Sequence, residues 1–229
     1  MASKVTIVDY GVGNLRSVAR AFEHVGARVE VTSDAGEIAR AERLVLPGVG
    51  AFGHCMAELS QRKLIESILK FAQSERPFLG ICVGMQIMLS VGEEFGEHKG
   101  LDLISGRVQC MSLRAAGEAI QKPNDWIATS ATPPRNDDKI ILPVIGWMSL
   151  KKTGDWQGTI LSEIAEGDSV YFIHSFAANP DDKAAVLAQY EYDGINITAA
   201  IAKNNLVGVQ FHPEKSGEVG LSMLKGFVR

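Results

Sequence analysis

Cys82 stands between two glycines in Gly80-Ile-Cys-Val-Gly84, after the apolar run Phe78 to Ile81 and before Met85-Gln-Ile-Met-Leu89. A short buried strand followed by the start of a helix would seat this cysteine on a nucleophile elbow, a sharp turn that lifts a side chain above a sheet. The flanking glycines let the backbone turn without side-chain clashes. The helix N-terminus beyond would favour the thiolate, the form that attacks carbon. A buried core cysteine is the commoner fate of an intracellular thiol, but such a residue has no need of two glycines around it.

A thiolate nucleophile works with a histidine and a group that orients it. Of the five histidines, His24, His54 and His98 fall in or beside helix-flanking segments, and His174 follows Val170-Tyr-Phe-Ile173 and could face a cleft. His212 is the strongest candidate, because it ends the predicted strand Val207 to Phe211 in Gln210-Phe-His-Pro-Glu-Lys215. Parallel sheets place their sites at the carboxyl ends of strands. Pro213 would stop the ladder, and Glu214 could turn to the same side as His212 and fix its tautomer. Attack on an amide creates an oxyanion that needs two backbone N–H donors. Val83, next after the nucleophile, would supply one, and the loop Gly48-Val49-Gly50 at a neighbouring strand end the other.

Gly48-Val-Gly-Ala-Phe-Gly53 also fits the G-x-G-x-x-G dinucleotide fingerprint. Pro47 intervenes between strand and loop, however, and the acidic ribose-binding residue at the end of the next strand is missing.

The positioning elements follow from periodicity. Val5 to Val8, Val29 to Val31 and Arg43 to Leu46 read as strands. Leu15, Val18, Ala19, Phe22 and Val25 recur at helical spacing and stop at Gly26. Met56 through Ala72 reads as one long amphipathic helix. This alternation indicates an α/β fold with a doubly wound, mainly parallel sheet and flanking helices. From Leu101 onward strands come closely spaced (Arg107 to Met111, Ile145 to Lys151, Ser169 to Ile173, Ala184 to Tyr192, Ile195 to Ala202), a small antiparallel addition within one domain spanning 1–229. Residues 114–139 lack a steady period and read as a mobile insertion. Glu218 to Val228 reads as a closing amphipathic helix.

Composition limits the function classes. A net charge of −4 with mixed signs gives no footprint for nucleic acid. No apolar run approaches a membrane span, and Met1-Ala-Ser-Lys leads into a strand, so a cytoplasmic protein is expected. Three cysteines (Cys55, Cys82, Cys110), none at Cys-x-x-Cys spacing, argue against a disulfide framework and a structural metal. No cofactor is expected.

Taken together, Pro47-Gly-Val-Gly50, Gly80-Ile-Cys-Val-Gly-Met-Gln86 and Gln210-Phe-His-Pro-Glu-Lys-Ser216 resemble the motifs of class I glutamine amidotransferases, whose fold is flavodoxin-like. Val8-Asp-Tyr-Gly-Val-Gly-Asn-Leu-Arg-Ser17, Ile145-Gly-Trp147 and Tyr171-Phe-Ile-His-Ser175 are similar to glutaminase subunits of imidazole glycerol phosphate synthases. The resemblance implies that Cys82, His212 and Glu214 form a triad that hydrolyses glutamine through a γ-glutamyl thioester. It implies that Gln86, His174 and Ser175 hold the substrate. It further implies ammonia transfer to a (β/α)8 cyclase subunit in a heterodimer, with Asn14, Trp147 and Lys215 at the interface. The Gly48-Val49 peptide would reorient when that partner binds its ligand. Val144 and Met148 depart from the usual histidine and asparagine, which points also to a paralogue supplying ammonia for amino-sugar modification.

Overall fold

The computed structural model describes residues 2–111 and 143–229, so the expected insertion at 114–139 lies outside the described residues. Five parallel strands form the larger part of the main sheet: β1 (Lys4–Val8), β2 (Arg28–Thr32), β3 (Leu44–Gly48), β4 (Phe78–Cys82) and, from far along the chain, β14 (Leu206–Val209). They lie parallel in the order β2-β1-β3-β4-β14. Every residue of β3, β4 and β14 is buried. Strands covered on both faces carry continuous apolar runs, which is how Leu44-Val-Leu46 and Phe78 to Ile81 read. The register sets Gly48 opposite Cys82 and Val209 opposite Ile81, so the carboxyl ends of three adjacent strands meet at one edge.

The connections among these strands carry α1 (Leu15–His24), α2 (Ala35–Arg40), α3 (Phe52–Gln61), α4 (Ile65–Ala72) and the single turn α5 (Val83–Gln86). Val18, Ala21 and Phe22 form the buried stripe of α1, and Phe22 packs on Phe227 of α6 (Gly217–Val228), with ring centroids 5.8 Å apart.

The later strands are β5 (Leu89–Gly92), β6 (His98–Lys99), β7 (Ile104–Cys110), β8 (Val144–Ser149), β9 (Lys151–Lys152), β10 (Ser169–His174), β11 (Phe176–Pro180), β12 (Val186–Tyr192) and β13 (Ile195–Lys203). Strands β13, β12 and β9 extend the main sheet antiparallel beyond β14. Two small sheets, β10-β8 and β11-β7-β5-β6, stand beside it.

Several boundaries depart from the periodicity. The long helix predicted over Met56 to Ala72 is two helices. Lys63 adopts φ 56°, and the Lys63 and Leu64 N–H groups donate to Ser60 and Leu59 carbonyls at 3.0 Å, a Schellman stop. Buried Leu59 and Leu64 accompany the cap, so the break occurs without the glycine that usually marks it. The helix expected from Met85 to Leu89 is only the one turn α5, and Leu89 begins a strand; a short apolar run cannot separate these states by period alone. The strand expected to reach Phe211 ends at Val209, and His212 N–H instead bonds the Tyr171 carbonyl of β10 at 2.9 Å.

Gly84 is the tightest point of the fold. A Cβ there would lie 1.8 Å from the Leu46 carbonyl oxygen, and one on Gly80 would lie 2.5 Å from the Met88 sulfur. Gly84→Ala must therefore push α5 off β3. We expect a loss of at least about 3 kcal/mol, beyond ordinary overpacking because the obstacle is backbone. Urea denaturation checks this, and a midpoint equal to wild type would contradict it.

Candidate active site

Cys82 ends β4 with φ 55° and ψ −115°, a strained conformation for a residue with a side chain. The strand register and the close approach of Gly84 to β3 hold it there. Its side chain opens on a cavity of about 460 Å³, a volume suited to a small metabolite. Val83, Gln86, His212, Lys215, Val49 and Gly50 line the same cavity, as do Asn14, His174 and Ser175. Of the expected site residues, only Gly48, Glu214 and Trp147 do not line this cavity, and Glu214 lies behind His212. Gly48 sits one residue behind the wall, paired with Cys82.

His212 and Glu214 are joined by the turn Pro213–Lys215, which bends the chain so that Nδ1 lies 2.8 Å from Glu214 Oε1. Both side chains are almost wholly enclosed. Burial alone would disfavour the imidazolium, but the Cys82 sulfur and the Glu214 carboxylate outweigh it and raise the His212 pKa to about 10. His212 Nε2 has no aligned hydrogen-bond partner among the described residues. A buried N–H without a partner, held charged beside a sulfur, is poised to give its proton to a group entering the cavity.

His174 lines the cavity with both ring nitrogens bonded inside the protein. Its Nδ1 lies 2.9 Å from the Phe176 carbonyl and its Nε2 2.8 Å from the Tyr190 hydroxyl. A carbonyl only accepts, so Nδ1 carries the hydrogen and Nε2 accepts from Tyr190. Both ring nitrogens are occupied within the protein, and the ring meets the cavity as a wall. Gln86 Nε2 donates to the same Phe176 carbonyl at 2.9 Å, which leaves Gln86 Oε1 as an acceptor for a ligand.

The loop after β3 is tied from behind. Tyr10 donates its hydroxyl hydrogen to the Pro47 carbonyl at 2.7 Å, and the Cys55 thiol faces the Val49 carbonyl at 3.6 Å. Gly50 has φ +87°, and Val49 is partly exposed at the cavity mouth. The dinucleotide reading fails on an observation at this loop. The Phe52 N–H at the head of α3, where a pyrophosphate would sit, already donates to the Glu94 carboxylate at 2.8 Å.

An apolar face adjoins the mouth. Trp147 and Ile145 are each 55% exposed and Ile173 40%. Trp147 meets Tyr171 edge-on at 6.0 Å, and Lys215 Nζ lies 5.8 Å over the same ring. Val144 and Met148 point the other way on β8, Val144 fully buried and Met148 against the core. The two departures from the family pattern therefore lie behind the exposed face and not on it.

Three residues were not singled out from sequence. Glu94 lines the cavity half-buried, its pKa raised by burial. The pair Glu93-Glu94 directly after an apolar run was the signal available. Tyr190 in β12 and Gln210 just past β14, both fully buried, gave no signal because nothing local distinguishes a polar residue bonded to distant partners. Among the described residues no group of three His, Cys, Asp or Glu is arranged to hold a metal ion, and no helix is long and apolar enough to cross a membrane.

Burial lowers the His174 pKa from 6.5 to about 4. The unfolded chain therefore takes up this proton first, and the contribution is whole above about 6.5 and lost as pH falls through about 4. At about 1.4 kcal/mol per unit, the span is roughly 3 kcal/mol. The urea stability difference between wild type and His174→Gln should narrow as pH is lowered from about 7 to about 4.5. A constant difference would count against this.

Comparison with known proteins agrees with the motifs. The family model for glutamine amidotransferase class-I matches residues 6–229. The chain is 48% identical over 230 residues to imidazole glycerol phosphate synthase subunit HisH 1 of Legionella pneumophila (strain Paris), covering 99% of each chain. It is 42% identical to the HisH subunit of Geobacter sulfurreducens, covering 98% of each. Among solved structures, a chain of PurLQS from Thermotoga maritima superimposes with a TM-score of 0.68 at 18% identity, over 99% of this chain and 98% of that one, which speaks to the fold alone. The chain belongs to the glutamine amidotransferase class-I family, in the branch of the HisH subunits of imidazole glycerol phosphate synthase.

Proposed function

We propose that this chain is the glutaminase subunit of an imidazole glycerol phosphate synthase, and that Cys82, His212 and Glu214 perform the hydrolysis. The observation that carries the reading is the meeting of a strained strand-end cysteine with a buried His–Glu pair in one cavity. The Cys82 thiolate attacks the side-chain carbonyl carbon of glutamine. The resulting oxyanion takes hydrogen bonds from Val83 N–H and from a peptide of the Gly48-Val49-Gly50 loop. The C–N bond breaks as His212 passes its proton to the departing nitrogen, so ammonia leaves and a γ-glutamyl thioester remains. His212, now neutral, takes a proton from water, which attacks the thioester and releases glutamate and the thiolate. Glu214 keeps Nδ1–H pinned throughout, so that Nε2 always faces the sulfur side.

Gln86 Oε1 and the Glu94 carboxylate supply acceptors that suit the amide and the α-ammonium group of glutamine. His174 and Ser175 contribute wall and backbone, His174 acting through the Phe176 carbonyl. The face made by Ile145, Trp147 and Ile173, with Asn14 and Lys215 beside it, is where a (β/α)8 cyclase subunit would seat over the cavity mouth. Ammonia then passes into that partner and not to solvent, in a cytoplasmic heterodimer. The departures Val144 and Met148 raised a sugar-modifying paralogue as the alternative. Their inward placement and the names of the two relatives give that alternative no support.

Glutamate release should rise strongly when the cyclase subunit and its nucleotide ligand are added to the purified chain. Cys82→Ala should abolish it, and Glu214→Gln should lower kcat/KM by at least about a hundredfold. Activity indifferent to this partner would remove the pathway assignment, and undiminished activity in Cys82→Ala would remove the nucleophile.

A further inference from the structure

The single turn of helix after Cys82 is too short to stabilise an anion by its dipole, so a side-chain donor can add to what the charged His212 supplies to the sulfur. One side-chain donor within reach is Gln210, whose Nε2 lies 3.7 Å from Cys82 Sγ. Gln210 is fully buried, as is Tyr190, and Gln86 nearly so. Their polar atoms form a continuous chain. Tyr190 O–H lies 2.8 Å from His174 Nε2, and His174 Nδ1 lies 2.9 Å from the Phe176 carbonyl. Gln86 Nε2 donates both to that carbonyl and to Gln210 Oε1, each at 2.9 Å.

The direction of this chain is forced. The Phe176 carbonyl can only accept, so Gln86 must turn its NH2 group toward it. The second hydrogen of that group then requires an acceptor, which fixes Gln210 with Oε1 toward Gln86 and Nε2 toward the sulfur. Reversing Gln210 would set two NH2 groups against each other and a carbonyl oxygen against the sulfur. A neutral thiol accepts weakly, whereas a thiolate makes a charge-assisted bond, so a donor locked in this position favours the anion.

We propose that Gln210 donates to the Cys82 sulfur to stabilise its thiolate, and that Gln86, His174 and Tyr190 are positioning residues that hold the Gln210 amide donor-side inward. The proposal rests on Cys82 being the nucleophile.

Iodoacetamide alkylation of the full chain tests it, with peptide mass spectrometry reading Cys82 apart from Cys55 and Cys110. In Gln210→Met the rate-against-pH curve for Cys82 should move up by about one unit, or about tenfold slower alkylation near neutral pH. Gln210→Glu preserves the shape and the acceptor for Gln86 but turns an oxygen on the sulfur, and should shift the curve the same way. Thermal denaturation confirms that each variant is folded, and Gln210→Glu carries the test if Gln210→Met is not. An unmoved curve in a folded variant would overturn the proposal, since mere packing by Gln210 would not set the titration of a sulfur. Alkylation needs no glutamine, so this outcome stands apart from whether the chain hydrolyses glutamine.

Discussion

The close approach of α5 to β3 is the constraint on which the rest depends. Gly84 lies so near the Leu46 carbonyl that no side chain fits, and Gly48 lies opposite Cys82 in the register. With the turn pressed onto the neighbouring strand, Cys82 has no relaxed backbone conformation open to it. The strain, on the order of 1–3 kcal/mol, is held by the surrounding core. Its effect is to raise the sulfur above the strand ends, where the chain leaving β14 delivers His212 and Glu214. The proposed nucleophile and base come from positions 82 and 212, and the pairing of β4 with β14 brings them together.

A second feature is how the buried polar groups are wired. Unpaired amides and hydroxyls are costly inside a core, so each must be satisfied, and satisfaction here also sets direction. Carbonyl oxygens, which cannot donate, act as fixed points: Phe176 orients both His174 and Gln86, and Pro47 orients Tyr10. Besides Thr6 Oγ1, the buried side-chain atoms without a partner among the described residues are His212 Nε2 and Glu214 Oε2, both at the site. An unsatisfied buried N–H at the sulfur side is what a proton shuttle requires, and the bond from Nδ1 to Glu214 keeps the ring in that orientation.

The parallel core was legible in the sequence because strands covered on both faces are continuous apolar runs, and because Gly80-Ile-Cys-Val-Gly84 announces a sharp turn. His212 and Glu214 were legible through their spacing around Pro213. What was hidden shares a physical reason. The stop at Lys63 uses a left-handed lysine where glycine would have signalled it. Leu89 to Gly92 is apolar enough to be either state, and its pairing with β7 on one side and β6 on the other makes it a strand. His174 looked free to meet a ligand until β12 brought Tyr190 against it. Gln210 is decided entirely by long-range partners, and the register of β14 with β4 is what places it.

In the proposed reaction Cys82 itself takes up the acyl group of glutamine. Rapid acid quenching during turnover of the assembled enzyme, followed by mass spectrometry of its peptides, tests this most directly. A γ-glutamyl adduct is expected on the peptide carrying Cys82, dependent on glutamine and absent from Cys82→Ser. Glutamate production with no such adduct, under conditions that accumulate the acyl enzyme, or an adduct on Cys55 or Cys110, would contradict it.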